Sequence, residues 1–320
     1  MTPIVFICAA GAASLYAAGS LQIKRSLNAG APKRRAIAVT NVAMALWALP
    51  LFFISRGDFE LTAWLTAVGA GIALFLGRIL AVQALDLGDL SIVGPLLGMK
   101  TLLVAIFSFS TGQAELTGWL WIASIAATAG VILIQRGPRR LTKRRRAAAC
   151  YAFGASLLFA LCDILVVEAR GQLGIGWLSP TLFLTVALLV PLMGKHPKAP
   201  SEARKPMYLG SVIMGFQTTL VILMIGLTGQ AVMVNIVYSS RALWTVVVDR
   251  YYGRGEGVAA FFRWRLIGAA LLVAAIAIVI FLVLLIGSGI AVIVYLFRKQ
   301  KQFQKVLKSR TFDKNKNAGT

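Results

Sequence analysis

Ten stretches of this chain run apolar for close to the length that crosses a bilayer, and little besides a helical membrane protein can be built from such material. A spanning helix needs about 20 apolar residues and satisfies every backbone group within itself, which lipid demands. The stretches are 3–21, 37–55, 61–85, 90–111, 117–135, 147–167, 177–194, 208–227, 231–249 and 266–286. Each is apolar throughout instead of alternating with polar residues, which excludes the strands of an outer-membrane barrel. Charged residues make up 14% of the chain, against about 25% in soluble domains. The expected fold class is therefore an all-α integral membrane protein with ten transmembrane helices.

The two halves repeat each other at an offset of 141 residues. Residues 87–100 (Leu-Gly-Asp-Leu-Ser-Ile-Val-Gly-Pro-Leu-Leu-Gly-Met-Lys) fall on 228–241 (Thr-Gly-Gln-Ala-Val-Met-Val-Asn-Ile-Val-Tyr-Ser-Ser-Arg), so that Lys100 meets Arg241. At the same offset Thr40 falls on Thr181, Pro50-Leu51 on Pro191-Leu192, and Gly69 on Gly210. One residue out of that register, Ala13-Ser14-Leu15 matches Ala155-Ser156-Leu157. The basic segment 136–146 separates five apolar stretches from five. An odd number of spans per repeat reverses orientation, so the two repeats are expected to be inverted, as in many secondary transporters. The expected organisation is a first repeat over 1–135, a linker over 136–146, a second repeat over 147–286, and a helix extension with a basic tail over 287–320.

The net charge of +22 is concentrated between the apolar stretches, where basic residues orient helices. It does not form the basic face on a soluble domain that nucleic acid requires. Odd-numbered loops carry twenty Lys and Arg, whereas even loops carry Arg56 and Arg170. The positive-inside rule places the odd loops in the cytoplasm and both ends of the ten-helix core outside. The tail beyond Phe297 holds eight more cations, which favour the cytoplasm, and it is rich in Lys where the rest is rich in Arg. The first stretch reads as a spanning helix, since no basic residue precedes it.

Ionisable groups within spans are costly and point by default to function. Lys100 and Arg241 each lie about ten residues into a span, roughly 15 Å deep. An inverted repeat turns both toward one cavity, where an anion or a carboxylate must offset their repulsion. Asp163, read as close to a helix end and hence interfacial, is the candidate partner. Arg78 lies nearer the end of its helix, where it could reach the cavity or snorkel to the interface. Asn235 and Tyr238 precede Arg241 by six and three residues and share a broad helix face with it, and Trp244 continues that stripe. Gln217 adds an uncharged polar group within a span. Gly94-Pro95 is expected to kink the fourth helix.

The cysteines Cys8, Cys150 and Cys162 show neither metal-ligand nor disulfide spacing, and the single histidine, His196, falls in a charged loop. Neither a metal site nor a Ser-His-Asp triad is expected. No catalytic residue or cofactor is assigned, and the chain is not read as an enzyme. With no G-x-x-x-x-G-K-S/T motif for ATP, coupling to a gradient or an exchange partner is expected.

In ten spans arranged as two five-helix halves, in the stretch Ala84-Leu85-Asp86-Leu87-Gly88-Asp89-Leu90-Ser91-Ile92-Val93-Gly94-Pro95-Leu96 opening the fourth helix, and in the polar end of the ninth followed by Leu266-Ile267-Gly268-Ala269-Ala270-Leu271, the chain resembles the drug/metabolite transporter superfamily, EamA type. The likeness covers roughly residues 3–286. It implies an alternating-access carrier in the cell (inner) membrane, with a central cavity lined by both repeats, and a relation to phosphate-sugar translocators in which Arg241 matches a substrate-holding cation. The chain departs from the family in its charge bias, which puts the core's ends outside. It also departs in its loosely placed Glu115, Asp249 and Glu256, and in its tail. The function expected is secondary transport of a small anionic or zwitterionic metabolite, with Lys100, Arg241, Arg78, Tyr238, Asn235, Gln217 and Trp244 lining the site. Expected partners are that metabolite and the lipid bilayer, with a homodimer allowed. The alternatives are a membrane enzyme or lipid-handling protein using the same cationic cavity, and a non-transporting partner subunit.

Overall fold

The structure, a computed structural model, describes residues 3–58, 60–87, 93, 96–113, 117–134, 143–195, 197–252 and 263–282. Among them there is no strand. The helices are α1 (Pro3–Asn28), α2 (Lys33–Ala48), α3 (Leu61–Leu87), α4 (Lys100–Ser110), α5 (Gly118–Ile134), α6 (Lys143–Leu188), α7 (Ser201–Thr228), α8 (Ala231–Tyr238) and α9 (Arg241–Tyr252), followed by α10 (Arg263–Leu282). The described residues up to Val279 form one compact unit. The Gly94-Pro95 kink, Glu115, residues 135–142 of the linker region, His196, Glu256, the Asp249 side chain and the tail lie outside the described residues.

Among the described residues, six helices are long and apolar enough to cross a membrane: Pro3–Asn28, Lys33–Phe53, Leu61–Ala84, Arg146–Met193, Ser201–Thr228 and Arg263–Leu282. Leu96–Ser110 and Gly118–Ile134 are apolar but shorter. The chain is thus an all-α protein with the composition and helix lengths of a membrane protein.

Two predicted boundaries differ. The sixth and seventh apolar stretches are two helical segments, taken together as α6, that meet across a kink at Gly174 (φ 63°, ψ 173°) and not across a loop. Only glycine enters that region without strain, and the chain turns there without leaving a loop. The ninth stretch is divided between α8 and α9 at Ser239-Ser240.

Helix ends recur at equivalent places in the two halves. A 3₁₀ turn with Pro50 near its start (Leu49–Phe53) closes α2, and one with Pro191 near its start (Val190–Met193) closes α6. Proline lacks the donor that would continue the α-helix. Packing runs between halves: α3 lies on α6, α1 on α7, and α2 on both α6 and α7.

Small residues permit these approaches. A Cβ on Gly71 of α3 would lie 2.6 Å from the Leu182 carbonyl and 2.8 Å from the Thr185 Cβ. A Cβ on Gly215 of α7 would lie 3.0 Å from Ala43 and Met44 backbone atoms of α2. Gly130 of α5 and Gly268 of α10 face each other so closely that a Cβ on either would meet the other's carbonyl, at 2.8 and 2.6 Å.

Candidate functional site

Each central cation opens a helix, directly after a tightened turn. Before Arg241, Ser240 N–H donates to the Val237 carbonyl (3.1 Å) and Ala242 N–H to that of Ser239 (3.1 Å), three residues back instead of four. Before Lys100, Met99 N–H donates to the Leu96 carbonyl in the same manner (3.2 Å). Such 3₁₀ stretches inside helices mark hinges or sites under functional constraint.

Lys100 Nζ lies 2.8 Å from Asp163 Oδ2, and Asn235 Nδ2 donates to the same oxygen at 2.6 Å. Asn235 also donates to the Ala231 carbonyl, 2.8 Å away. Ser156 Oγ donates to the Leu96 carbonyl (2.7 Å), tying α6 to the turn before Lys100. Asp163 is buried inside the protein. Its helix continues to the Gly174 break instead of ending near 167, so the carboxylate lies about ten residues, or roughly 15 Å, from that break.

The other cations lie in different company. The Arg241 guanidinium sits 4.7 Å from the Tyr238 ring centroid and 5.0 Å from that of Tyr16, within cation–π range. The two rings meet edge to face at 6.3 Å. Tyr238 OH donates to Gln217 Oε1 (2.9 Å), and Gln217 Nε2 donates to Thr218 Oγ1 (2.7 Å) and the Met214 carbonyl (3.3 Å). Arg78 points inward: its Nη1 lies 2.8 Å from Met44 Sδ. Among the described residues, Asp163 is the carboxylate paired with a central cation, and its partner is Lys100. Arg78 and Arg241 face sulfur and aromatic rings instead.

Six of the seven candidate residues therefore enter interior polar contacts: Lys100 with Asn235 through Asp163, Arg241 with Tyr238 and its partner Gln217, and Arg78 with Met44. Trp244 is 44% exposed and stands apart from them. Tyr16, Met44 and the paired role of Asp163 were missed from sequence. Tyr16 carries the same polar-tipped aromatic signal as Tyr238, but nothing in the chain links it to Arg241 before folding.

No protein-family model matches the sequence, and no curated protein matches it either. Among solved structures, 27 chains match. One, described only as a crystal structure of a protein, superposes with a TM-score of 0.69 over 88% of this chain and 100% of its own, at 14% identity. The likeness extends to the fold.

Proposed function

We propose that the chain is a secondary transporter of the drug/metabolite superfamily kind, EamA type. In this reading ten spans form two inverted five-helix repeats in the cell (inner) membrane, and a small anionic or zwitterionic metabolite moves by alternating access. The carrying observation is the charge balance of these interior contacts. They hold three cations from both halves: Asp163 offsets one, and Arg78 and Arg241 lie against Met44, Tyr16 and Tyr238. Unmatched charge within a membrane protein is expensive, and an incoming anion relieves it. Tyr238 and Gln217 add polar tips that could orient the ligand, and the Lys100–Asp163–Asn235 group would keep the other side of the cavity near neutral.

The inverted-repeat reading is supported by counterparts at one offset: the proline-started 3₁₀ turns and the tightened turns before Lys100 and Arg241. Exchanging the halves also exchanges the α3–α6 and α1–α7 packings. Rocking of one repeat against the other about a fixed central site would follow.

The test is flux into proteoliposomes of labelled dicarboxylates, amino acids, phosphate esters and organic cations, by wild type and Arg241→Gln. Uptake or exchange of an anion or zwitterion that collapses in the variant supports the proposal. Transport of cations alone, or flux that the variant leaves intact, overturns it.

A further inference from the structure

A cleft of about 570 Å³ opens between α2 and α3. Its walls are Lys33, Arg34 and Ile37 of α2 and Ile79, Val82 and Gln83 of α3, closed by the 3₁₀ turn at Leu192-Met193. The Arg34 guanidinium donates to the Met193 carbonyl at 3.3 Å and that of Arg35 to the Pro197 carbonyl at 3.4 Å. These contacts join two of the strongly basic loops, so the mouth belongs to the face read as cytoplasmic. The cleft is apolar along its length and cationic at its rim.

Below Ile37 the same stripe of α2 continues through Asn41 to Met44, at spacings of four and three residues. Met44 meets Arg78, which neighbours Ile79 of the cleft wall and lies four residues before Val82. Asn41 lies on α2 one helical turn beyond Ile37 of the cleft wall and three residues before Met44. It is completely buried, yet neither its Oδ1 nor its Nδ2 has a hydrogen-bond partner. A buried amide left unpaired costs free energy on the order of 1–3 kcal/mol for each group, and native structures seldom tolerate that without a water, an ion or a ligand to satisfy it.

We infer that this cleft is the entrance by which a small organic anion reaches Arg78 from the basic face, with Asn41 as the hydrogen-bonding station between rim and centre. The rim cations draw the anion in, the apolar walls exclude water, and the Asn41 amide replaces part of its hydration before Arg78 receives it. The inference rests on the carrier reading for what lies beyond Arg78. An anionic lipid headgroup seated at the rim would use the same cations but would not pass Asn41.

Single-cysteine labelling in nanodiscs tests the route. Cys8, Cys150 and Cys162 are replaced by alanine, and Val82→Cys, Asn41→Cys and Met44→Cys report the mouth, the station and the approach to Arg78. Each is treated with a sulfonate-bearing methanethiosulfonate and with its trimethylammonium counterpart. Modification at Asn41→Cys is expected to be about tenfold faster with the anionic reagent, as electrostatic focusing allows, and Arg78→Gln should erase that preference. Met44→Cys carries the same expectation if Asn41→Cys does not give a monodisperse protein. Labelling confined to Val82→Cys, or labelling at depth without preference of sign, overturns the entrance. Intact labelling without flux would then overturn the carrier and keep the entrance, whereas flux without deep labelling would do the reverse.

Discussion

Replacing Asp163 by asparagine removes the carboxylate that accepts from Lys100 at 2.8 Å and from Asn235 at 2.6 Å. The side chains are 12% and 2% exposed for Lys100 and Asp163, so solvent screens the pair little. At an effective dielectric near 20, unit charges about 3 Å apart attract by roughly 6 kcal/mol. Desolvation of each ion offsets several kcal/mol, so the pair as a whole contributes little, but removing one partner strands the other at a cost of about 3–5 kcal/mol. Asp163→Asn is expected near the top of that range, because Lys100 is left with a neutral amide. Lys100→Gln should cost less, because Asn235 still donates to the carboxylate. The double variant Lys100→Met/Asp163→Leu should recover most of the loss, since apolar replacement of a buried pair is often neutral. Unfolding in mixed micelles, read as a double-mutant cycle, gives the coupling directly. Two single variants that each cost under about 1 kcal/mol and add in the double would refute the buried pair.

The helix approaches give a graded test: Gly71→Leu and Gly215→Leu should each lose about 1–3 kcal/mol or more through overpacking. Gly11→Leu, with open space around it, should leave the melting temperature near wild type. Gly174→Ala should destabilise by about 1–2 kcal/mol for the left-handed backbone alone, and by more because the new Cβ would lie 2.7 Å from Gly57 N; thermal unfolding followed by tryptophan fluorescence reads both. Tyr238→Phe strands the Gln217 carbonyl oxygen and should cost about 1–3 kcal/mol. Adding Gln217→Leu to it should restore part of that, measured in the same assay.

What the chain made legible was carried by long-range regularities. Apolar runs of near-membrane length marked α1, α2, α3 and α7 because their backbone groups have no alternative to a helix in lipid. The offset that pairs Lys100 with Arg241 also found the two proline-started turns, since a missing N–H acts locally wherever it occurs. Gly174 was harder to place: apolarity fades over 168–176 in the same way for a loop as for two helical segments that meet directly across one glycine. The helix end beyond Asp163 was misjudged because helix ends were set by where apolarity fades, near 167, although the helix persists to the break. Tyr16, Met44 and Asn41 were invisible as site residues for a different reason. Each is unremarked within its own span, and its significance comes from neighbours brought across from another helix.

The most direct test of the central claim, that the polar centre holds an anion on its arginines, is ligand-induced thermal stabilisation of the detergent-purified protein. Inorganic anions, dicarboxylates, amino acids and organic cations are screened against wild type, Arg241→Gln, Arg78→Gln and Lys100→Gln. A ligand that binds the folded state alone raises its apparent stability, by about 2.7 kcal/mol at a hundred times its Kd. The expected result is stabilisation by an anion or zwitterion that vanishes in Arg241→Gln, weakens in Arg78→Gln, and is least affected in Lys100→Gln, whose charge Asp163 already matches. Stabilisation by cations, or by an anion equally in wild type and Arg241→Gln, would contradict it.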